Sequence, residues 1–302
     1  MVNILLKRVS LPNGEEIAYR EREGGDDKVL LVHGNMTSSE HWDVVMENMN
    51  DFFNVIAVDL RGFGNSSYHH PIESIKDFSD DLKMFCDQIG LHDFALAGWS
   101  LGGAVAQQFC ADNPGYANRL FLLASASTRG YAYYATGANG FPDTSNRLTS
   151  LDEVRKDGKT KLVQGAYDTK NYDLLRQTWD MLIYRNEKPD PARYEKYLAD
   201  MTTQRNLAET YHVLNLFNIS NVSNGLVDGN GKVEHITIPI LITRGDEDLV
   251  VSREMTNELI ADYGDKAVYL EFSGAGHSPL IDNLEKLLIM MEDFFNGKDV
   301  RK

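Results

Sequence analysis

The sequence predicts an α/β protein, a mostly parallel sheet flanked by helices, with a helical segment inserted into it. Three observations lead there. Over both ends of the chain, short apolar runs bounded by turn residues alternate with amphipathic stretches of helical period. The middle differs in composition: residues 129–235 carry 14 Lys+Arg and 14 Asp+Glu, whereas the remainder carries 16 and 31, the whole of the net charge of -15. That middle stretch also holds nine of the fourteen tyrosines. Finally, 302 residues suit one large α/β domain with an insertion, or two ordinary domains, and suffice for a sizeable core.

Taken in order, residues 4–10 and 16–22 read as a hairpin about the turn Pro12-Asn13-Gly14. Strands buried on both faces are expected at 29–32, 55–58, 94–97, 120–124, 240–243 and 268–272, each a brief apolar run between breakers. Helices are expected between them at about 40–49, 74–89, 101–112, 252–262 and 283–296. In the second of these, Ile75, Phe78, Leu82, Phe85 and Ile89 recur at three- and four-residue spacing, which makes one buried stripe. Cys86 beside that stripe, and Cys110 on the following helix, read as small buried residues. The middle region predicts helices at about 151–164, 171–185, 191–201 and 203–217. Loops rich in small polar residues join it to the rest at 125–130 and 218–232. The expected organisation is a core of residues 1–128 and 236–302 with a helical insertion at 129–235. The fragment Asp228-Gly229-Asn230-Gly231-Lys232 lacks the ligands of a calcium loop and reads as a turn.

Composition then narrows function. A chain this acidic is repelled by nucleic acid and by anionic membranes. No run of eighteen apolar residues exists to span a bilayer, and the N-terminal charge order is unlike that of a secretory signal. Two cysteines cannot build a disulfide framework or a Cys-rich metal site. The expectation is a reduced, cytoplasmic globular protein with no nucleic-acid partner, no membrane insertion and no metal.

The strongest chemical signal is Gly98-Trp99-Ser100-Leu101-Gly102-Gly103, between a predicted strand and a predicted helix. An abrupt strand-to-helix turn strains the serine backbone and crowds its neighbours, so Gly98 and Gly102 must be minimal. It holds the hydroxyl out at the carboxyl edge of the sheet, which suits a nucleophile better than a helix cap. A serine hydroxyl needs a base. Of the eight histidines, His277 follows the last predicted strand in Gly274-Ala275-Gly276-His277, at the same sheet edge. His69 and His70 read as surface residues on another loop, although that loop could reach the pocket. The base needs an acid to fix its tautomer. Asp246, Glu247 and Asp248 compete after the penultimate strand; the spacing Gly245-x-x-Asp248-x-x-Val251 favours Asp248, with Asp246 the alternative. Oxyanion donors are expected from the backbone N–H of Leu101, and from that of Asn35 in the turn His33-Gly34-Asn35-Met36. His33 reads as a structural hydrogen-bonding residue, and Gly34 permits the close turn. Asp59 and Arg61 read as a pair tying loops together.

Together these motifs give the chain a resemblance to the α/β-hydrolase fold superfamily. The residues that carry it are His33-Gly34, Asp59-x-Arg61-Gly62-x-Gly64-x-Ser66, Gly98-x-Ser100-x-Gly102-Gly103, Gly245-x-x-Asp248-x-x-Val251 and Gly274-x-Gly276-His277. They stand in the family's order and cover about two-thirds of the chain. The resemblance implies an eight-stranded, mostly parallel sheet with a helical cap after the sixth strand, where 129–235 falls. The wording around Ser100 is similar to that of small carboxylesterases. Relatives with an Asp nucleophile, the epoxide hydrolases and haloalkane dehalogenases, are disfavoured by Ser100.

The expected activity is therefore hydrolysis of small to medium, largely apolar carboxylic esters or lactones, through an acyl-enzyme on Ser100, with no cofactor. Carbon–carbon hydrolases of the aromatic-degradation type share the serine, acid and histidine and remain an alternative. A small-ligand receptor on the same fold is a second. The aromatic residues of the insertion, including Tyr131, Tyr133, Trp179, Tyr197 and Tyr211, are expected mostly to pack its helices, with a few facing the serine. A negative field around Ser100 should disfavour polyanionic substrates unless a local basic group intervenes.

Overall fold

The computed structural model describes residues 2–301. β1 (Leu5–Ser10) and β2 (Glu16–Arg22) form the expected antiparallel hairpin. β3 (Asp27–Val32), β4 (Phe53–Val58), β5 (Phe94–Trp99), β6 (Ala117–Leu123), β9 (Ile240–Gly245) and β10 (Ala267–Phe272) follow. The order across the sheet is β1-β2-β4-β3-β5-β6-β9-β10. Only the pairings of β2, with β1 and with β4, are antiparallel. The chain reverses direction across the sheet at β3–β5, where Val32 pairs with Gly98, so the loops after these strands meet at one edge.

Helices cover both faces. α2 (Ile75–Ile89) and α3 (Leu101–Asp112) bury Phe78, Leu82, Phe85 and Phe109 against Leu30, Val32 and Leu96. On the opposite face, α1 (Asp43–Asn48) and α11 (Leu284–Phe295) cover Val29, Leu31 and Phe121 with Val45, Met291 and Phe294. α9 (Arg253–Tyr263) packs beside β9 and β10. Both cysteines are buried, and burial pushes the Cys110 thiol up to about 12.

Asp59 and Arg61 do tie loops together, but not to each other. Asp59 accepts from the backbone N–H groups of Ser39 and Asn65 at 2.8 Å, while Arg61 forks onto Asp81 of α2. Turn N–H groups saturate the aspartate, and the longer arginine reaches the helix.

After β6 the chain leaves the sheet and returns at β9, which pairs directly with β6. The intervening segment contains α4 (Leu151–Lys156), α5 (Gly158–Asp168), α6 (Tyr172–Leu182), α7 (Pro191–Met201) and α8 (Leu207–Leu216). It departs from the expectation in two ways. It opens with a two-stranded antiparallel hairpin, β7 (Tyr134–Thr136) and β8 (Pro142–Arg147). The helix expected at 151–164 is also two helices. Asp157 is extended, with ψ 149°, and its carboxylate accepts from Lys159 N and Thr136 N, which caps α5 and secures β7. A capping aspartate followed by glycine overrides the apolar period that runs through it.

The inserted segment shares the apolar core on the α1 and α11 face, through Tyr184, Tyr194 and Tyr197. A polar cluster reinforces the junction. Ser38 Oγ donates to Asp200 of α7 at 2.7 Å, and Arg193 bridges Asp43 at 2.5 Å and Glu47 at 2.8 Å. His41 stacks on Tyr197 with ring centroids 4.1 Å apart.

Candidate active site

Ser100 sits between β5 and α3 with φ 56° and ψ −114°, a backbone region that L-residues avoid. Its neighbours show why the motif needs glycine. A Cβ on Gly98 would collide with the Gly102 carbonyl, and one on Gly102 with the carbonyls of Val32 and His33. Surrounding hydrogen bonds hold the turn: Ser100 N donates to Leu123 O at 3.0 Å, and Ala126 N donates to Ser100 O at 3.2 Å. Such strain costs about 1–3 kcal/mol, whereas glycine at this position costs about 0.5–1 kcal/mol in backbone entropy. Ser100→Gly is therefore expected to raise the melting temperature by up to about 4 °C over Ser100→Ala, as scanning calorimetry would show. A melting temperature lower for Ser100→Gly than for Ser100→Ala would mean the turn is unstrained.

His277 follows β10 on a loop held by carboxylates. Asp246 Oδ1 accepts from Gly274 N at 2.8 Å, and Asp282 Oδ2 accepts from Gly276 N at 2.7 Å. The Trp99 indole N–H donates to the His277 carbonyl at 2.9 Å, joining the loop to the residue before Ser100. His277 Nδ1 lies 2.9 Å from Asp248 Oδ2, both residues being almost wholly buried. Asp248 Oδ1 accepts from the N–H groups of Val250 at 2.7 Å and Val251 at 2.9 Å. An ionised carboxylate can only accept, so Nδ1 carries the proton and a neutral ring leaves Nε2 free to take one. Of the three competing acids, Asp248 contacts His277, Asp246 braces the histidine's loop, and Glu247 contributes only a backbone N–H to Ala275. Among the described residues no hydrogen bond joins Ser100 Oγ to His277. Catalytic contacts of this kind commonly tighten only when substrate binds.

The turn after β3 passes close to the serine, with Gly34 facing the Ser100 Cβ. His33 is buried inside it. Its Nε2 accepts from Leu60 N at 3.0 Å, so Nδ1 is the donor to Gly34 O at 2.7 Å. Burial holds the His33 pKa below the ordinary value, which suits a neutral brace and not a base. Asn35 and Met36 remain partly exposed, and Met36 adopts φ 62°. The N–H of Leu101 opens α3, where first-turn donors have no acceptor within the helix.

His69 and His70 lie elsewhere: their backbone N–H groups and the His70 ring gather around the buried carboxylate of Glu15. A polar depression of about 610 Å³ beside the β1–β2 hairpin, lined by Arg8, Glu15, Tyr68, His69 and Arg205, contains none of the residues around Ser100. The candidate site lies at the sheet edge, apart from this depression.

Sequence reasoning missed two supports, Arg244 and Gln204, and left a third, Tyr131, undistinguished among the aromatic residues of the insertion. Arg244 of β9 donates to the carbonyls of Asp248 and Val251, both at 2.9 Å, and so staples the acid's loop. A lone arginine in a buried strand was the available signal. Gln204 donates to Asn35 Oδ1 at 2.8 Å. Tyr131 has its phenol pushed up to about 12, by burial and then by the Asp248 carboxylate, which puts it within electrostatic reach of the acid. No local motif marks the last two.

A family model described as the α/β hydrolase fold matches residues 27–284. The chain belongs to this family. Its relatives include a 2-hydroxy-6-oxononadienedioate/2-hydroxy-6-oxononatrienedioate hydrolase from a Pseudomonas species, 21% identical over 296 residues and covering 95% of each chain. A pimeloyl-[acyl-carrier protein] methyl ester esterase from Vibrio cholerae is 23% identical over 282 residues, covering 91% of this chain and 97% of that one. Among solved structures, an esterase from Exiguobacterium antarcticum superposes with a TM-score of 0.72 at 18% identity, covering 97% of this chain and all of that one. At such identity the structural likeness speaks for the fold alone. Among the described residues, no helix of this family member is long and apolar enough to cross a membrane.

Proposed function

We propose that this α/β hydrolase is a serine esterase that cleaves small to medium, largely apolar carboxylic esters or lactones. The observation that carries the reading is the His277–Asp248 hydrogen bond beside a serine held at φ 56°. In this mechanism Ser100 Oγ attacks the carbonyl carbon while His277 Nε2 takes its proton. Asp248 fixes the tautomer that leaves Nε2 free, and stabilises the imidazolium that forms. The N–H groups of Asn35 and Leu101 stabilise the oxyanion. As the tetrahedral intermediate collapses, the bond to the alcohol oxygen breaks and His277 returns the proton to that oxygen. Water then attacks the acyl-enzyme with His277 again as base, releasing the acid and restoring Ser100. Residues 129–235 act as a cap over this site, and their aromatic side chains supply its apolar wall.

Carbon–carbon bond hydrolysis is the second reading, favoured by the near full-length similarity to the Pseudomonas dienedioate hydrolase. Both readings use the same serine. A fluorophosphonate probe is expected to label one site, traced by peptide mass to Ser100, and Ser100→Ala should lose both labelling and hydrolysis of p-nitrophenyl butyrate. Full hydrolysis by Ser100→Ala would overturn the mechanism. A vinylogous diketone cleaved in preference to every ester would favour the second reading.

A further inference from the structure

Lys159, in the first turn of α5, keeps substantial accessible surface. Yet its ammonium lies over two buried rings, 5.6 Å from the centroid of Tyr133 and 5.3 Å from that of Tyr211. Surrounding protein desolvates it enough to draw its pKa below the ordinary lysine value, against the partial opposition of Asp157. Lys159 Nζ makes no ion pair among the described residues. Asp157, whose charge it feels, is already engaged by Thr136 N, Thr136 Oγ1 and Lys159 N.

The same wall leads towards Ser100. The Tyr211 phenol is raised well above its ordinary value by burial, then by Tyr133, Tyr167 and Tyr131. Tyr131 in turn feels Asp248. Tyr167 donates to Gln204 at 3.2 Å, and Gln204 donates to Asn35 in the turn beside the serine. Neither the Tyr131 nor the Tyr211 hydroxyl has a hydrogen-bond partner among the described residues. One ammonium without an ion pair and two phenols without hydrogen-bond partners therefore stand in the insertion, which Tyr167, Gln204 and Asn35 link to the turn beside Ser100.

We infer that Lys159, with the hydroxyls of Tyr211 and Tyr131, receives a single carboxylate at the end of the substrate remote from the scissile carbonyl. The preferred substrate class is then the half-ester of a dicarboxylic acid, or an ester whose alcohol carries one carboxylate. This rests on the serine esterase reading and deepens it. One ammonium compensates one negative charge, and the negative field of the core opposes any more, so polyanions remain disfavoured. Phenol and ammonium groups are donors to a carboxylate, and a charge-assisted contact of this kind corresponds to about tenfold in affinity.

The test uses matched ester pairs. On the acyl side, p-nitrophenyl half-esters of adipic to sebacic acid are compared with their methyl-capped counterparts. On the alcohol side, butyrate esters of ω-hydroxy acids are compared with their methyl-capped forms. The wild-type protein should prefer the free carboxylate in one series by about tenfold in kcat/KM, chiefly through KM. In Lys159→Met that ratio should fall towards one, and Lys159→Arg should retain most of it. Should Lys159→Met fold poorly, inhibition of the wild type by adipate against its monomethyl ester gives the same contrast without a variant. No preference in either series, or a ratio unchanged in Lys159→Met, overturns the inference while Ser100-dependent hydrolysis of the capped esters stands. Loss of all Ser100-dependent ester hydrolysis would instead remove the esterase reading beneath it.

Discussion

Replacing Asp248 with asparagine is expected to lower kcat for ester hydrolysis by about 10⁴ while leaving the fold intact. The argument lies in the two backbone donors on Oδ1. Val250 N and Val251 N both point at that atom, so an asparagine must place its carbonyl oxygen there. Its NH₂ group then occupies the Oδ2 position, 2.9 Å from His277 Nδ1. Facing a donor, Nδ1 becomes the acceptor and the ring proton moves to Nε2, the atom that must take the proton of Ser100. The substitution thus keeps shape and hydrogen-bond count and fixes the wrong tautomer. Steady-state kinetics, with a melting curve to establish folding, checks it. A loss under about tenfold would mean that His277 does not draw its tautomer from Asp248. Asp248→Ala should cost stability as well, because Val250 N and Val251 N would lose their acceptor.

What could be read beforehand divides along a physical line. Groups placed by their own short stretch of chain were legible. The strand ends that present Ser100, Asp248 and His277 are brief apolar runs closed by glycines, and each of these proposed site residues lies within a few positions of its strand. The sheet edge gathers these strand ends, so the pairing of His277 with Asp248 follows from strand order. Groups placed by packing were not legible. Lys159 and Tyr211 are far apart in sequence and on different helices, and only the stacking of Tyr211 on Tyr133, at 4.7 Å, brings the ammonium over both rings. The β7–β8 hairpin escaped for another reason. Residues 142–146 are exposed throughout, so they lack the apolar alternation that marks a half-buried strand. His41 was unmarked because its partners, Trp179, Tyr197 and Asp200, all come from the insertion.

That histidine's contact leads to the second large effect. Asp200→Ala is expected to destabilise the protein by about 1–3 kcal/mol, the range for leaving buried hydrogen-bonding groups without their partner. Asp200 is held from below by two residues that follow β3: Ser38 donates to Oδ1 at 2.7 Å, and His41 Nε2 stands 3.4 Å from Oδ2, near enough for attraction but not aligned as a hydrogen bond. Burial alone would raise the Asp200 pKa; His41 first, then Ser38 and Arg20, outweigh it and bring the pKa below the ordinary 3.8. A carboxyl depressed in the folded state stabilises above its unfolded pKa, and that contribution is lost as pH falls through the folded value. Glu40, Asp81 and Asp282 are shifted upward by burial and oppose this trend on acidification, so the total acid limb is a poor measure. The difference between wild type and Asp200→Asn isolates it. Near neutral pH the asparagine variant should be less stable, though less so than Asp200→Ala, since its amide oxygen can still accept from Ser38. The gap to wild type should narrow as pH drops below about 4. Urea midpoints from pH 7 to pH 3 would measure this, and a gap independent of pH would mean Asp200 anchors the insertion by shape and not by charge. Because the residues it grips open the helix after the His33–Met36 turn, loosening Asp200 should also raise KM for bulky esters ahead of any change in kcat, as the proposed cap loses its fixed seat over Ser100.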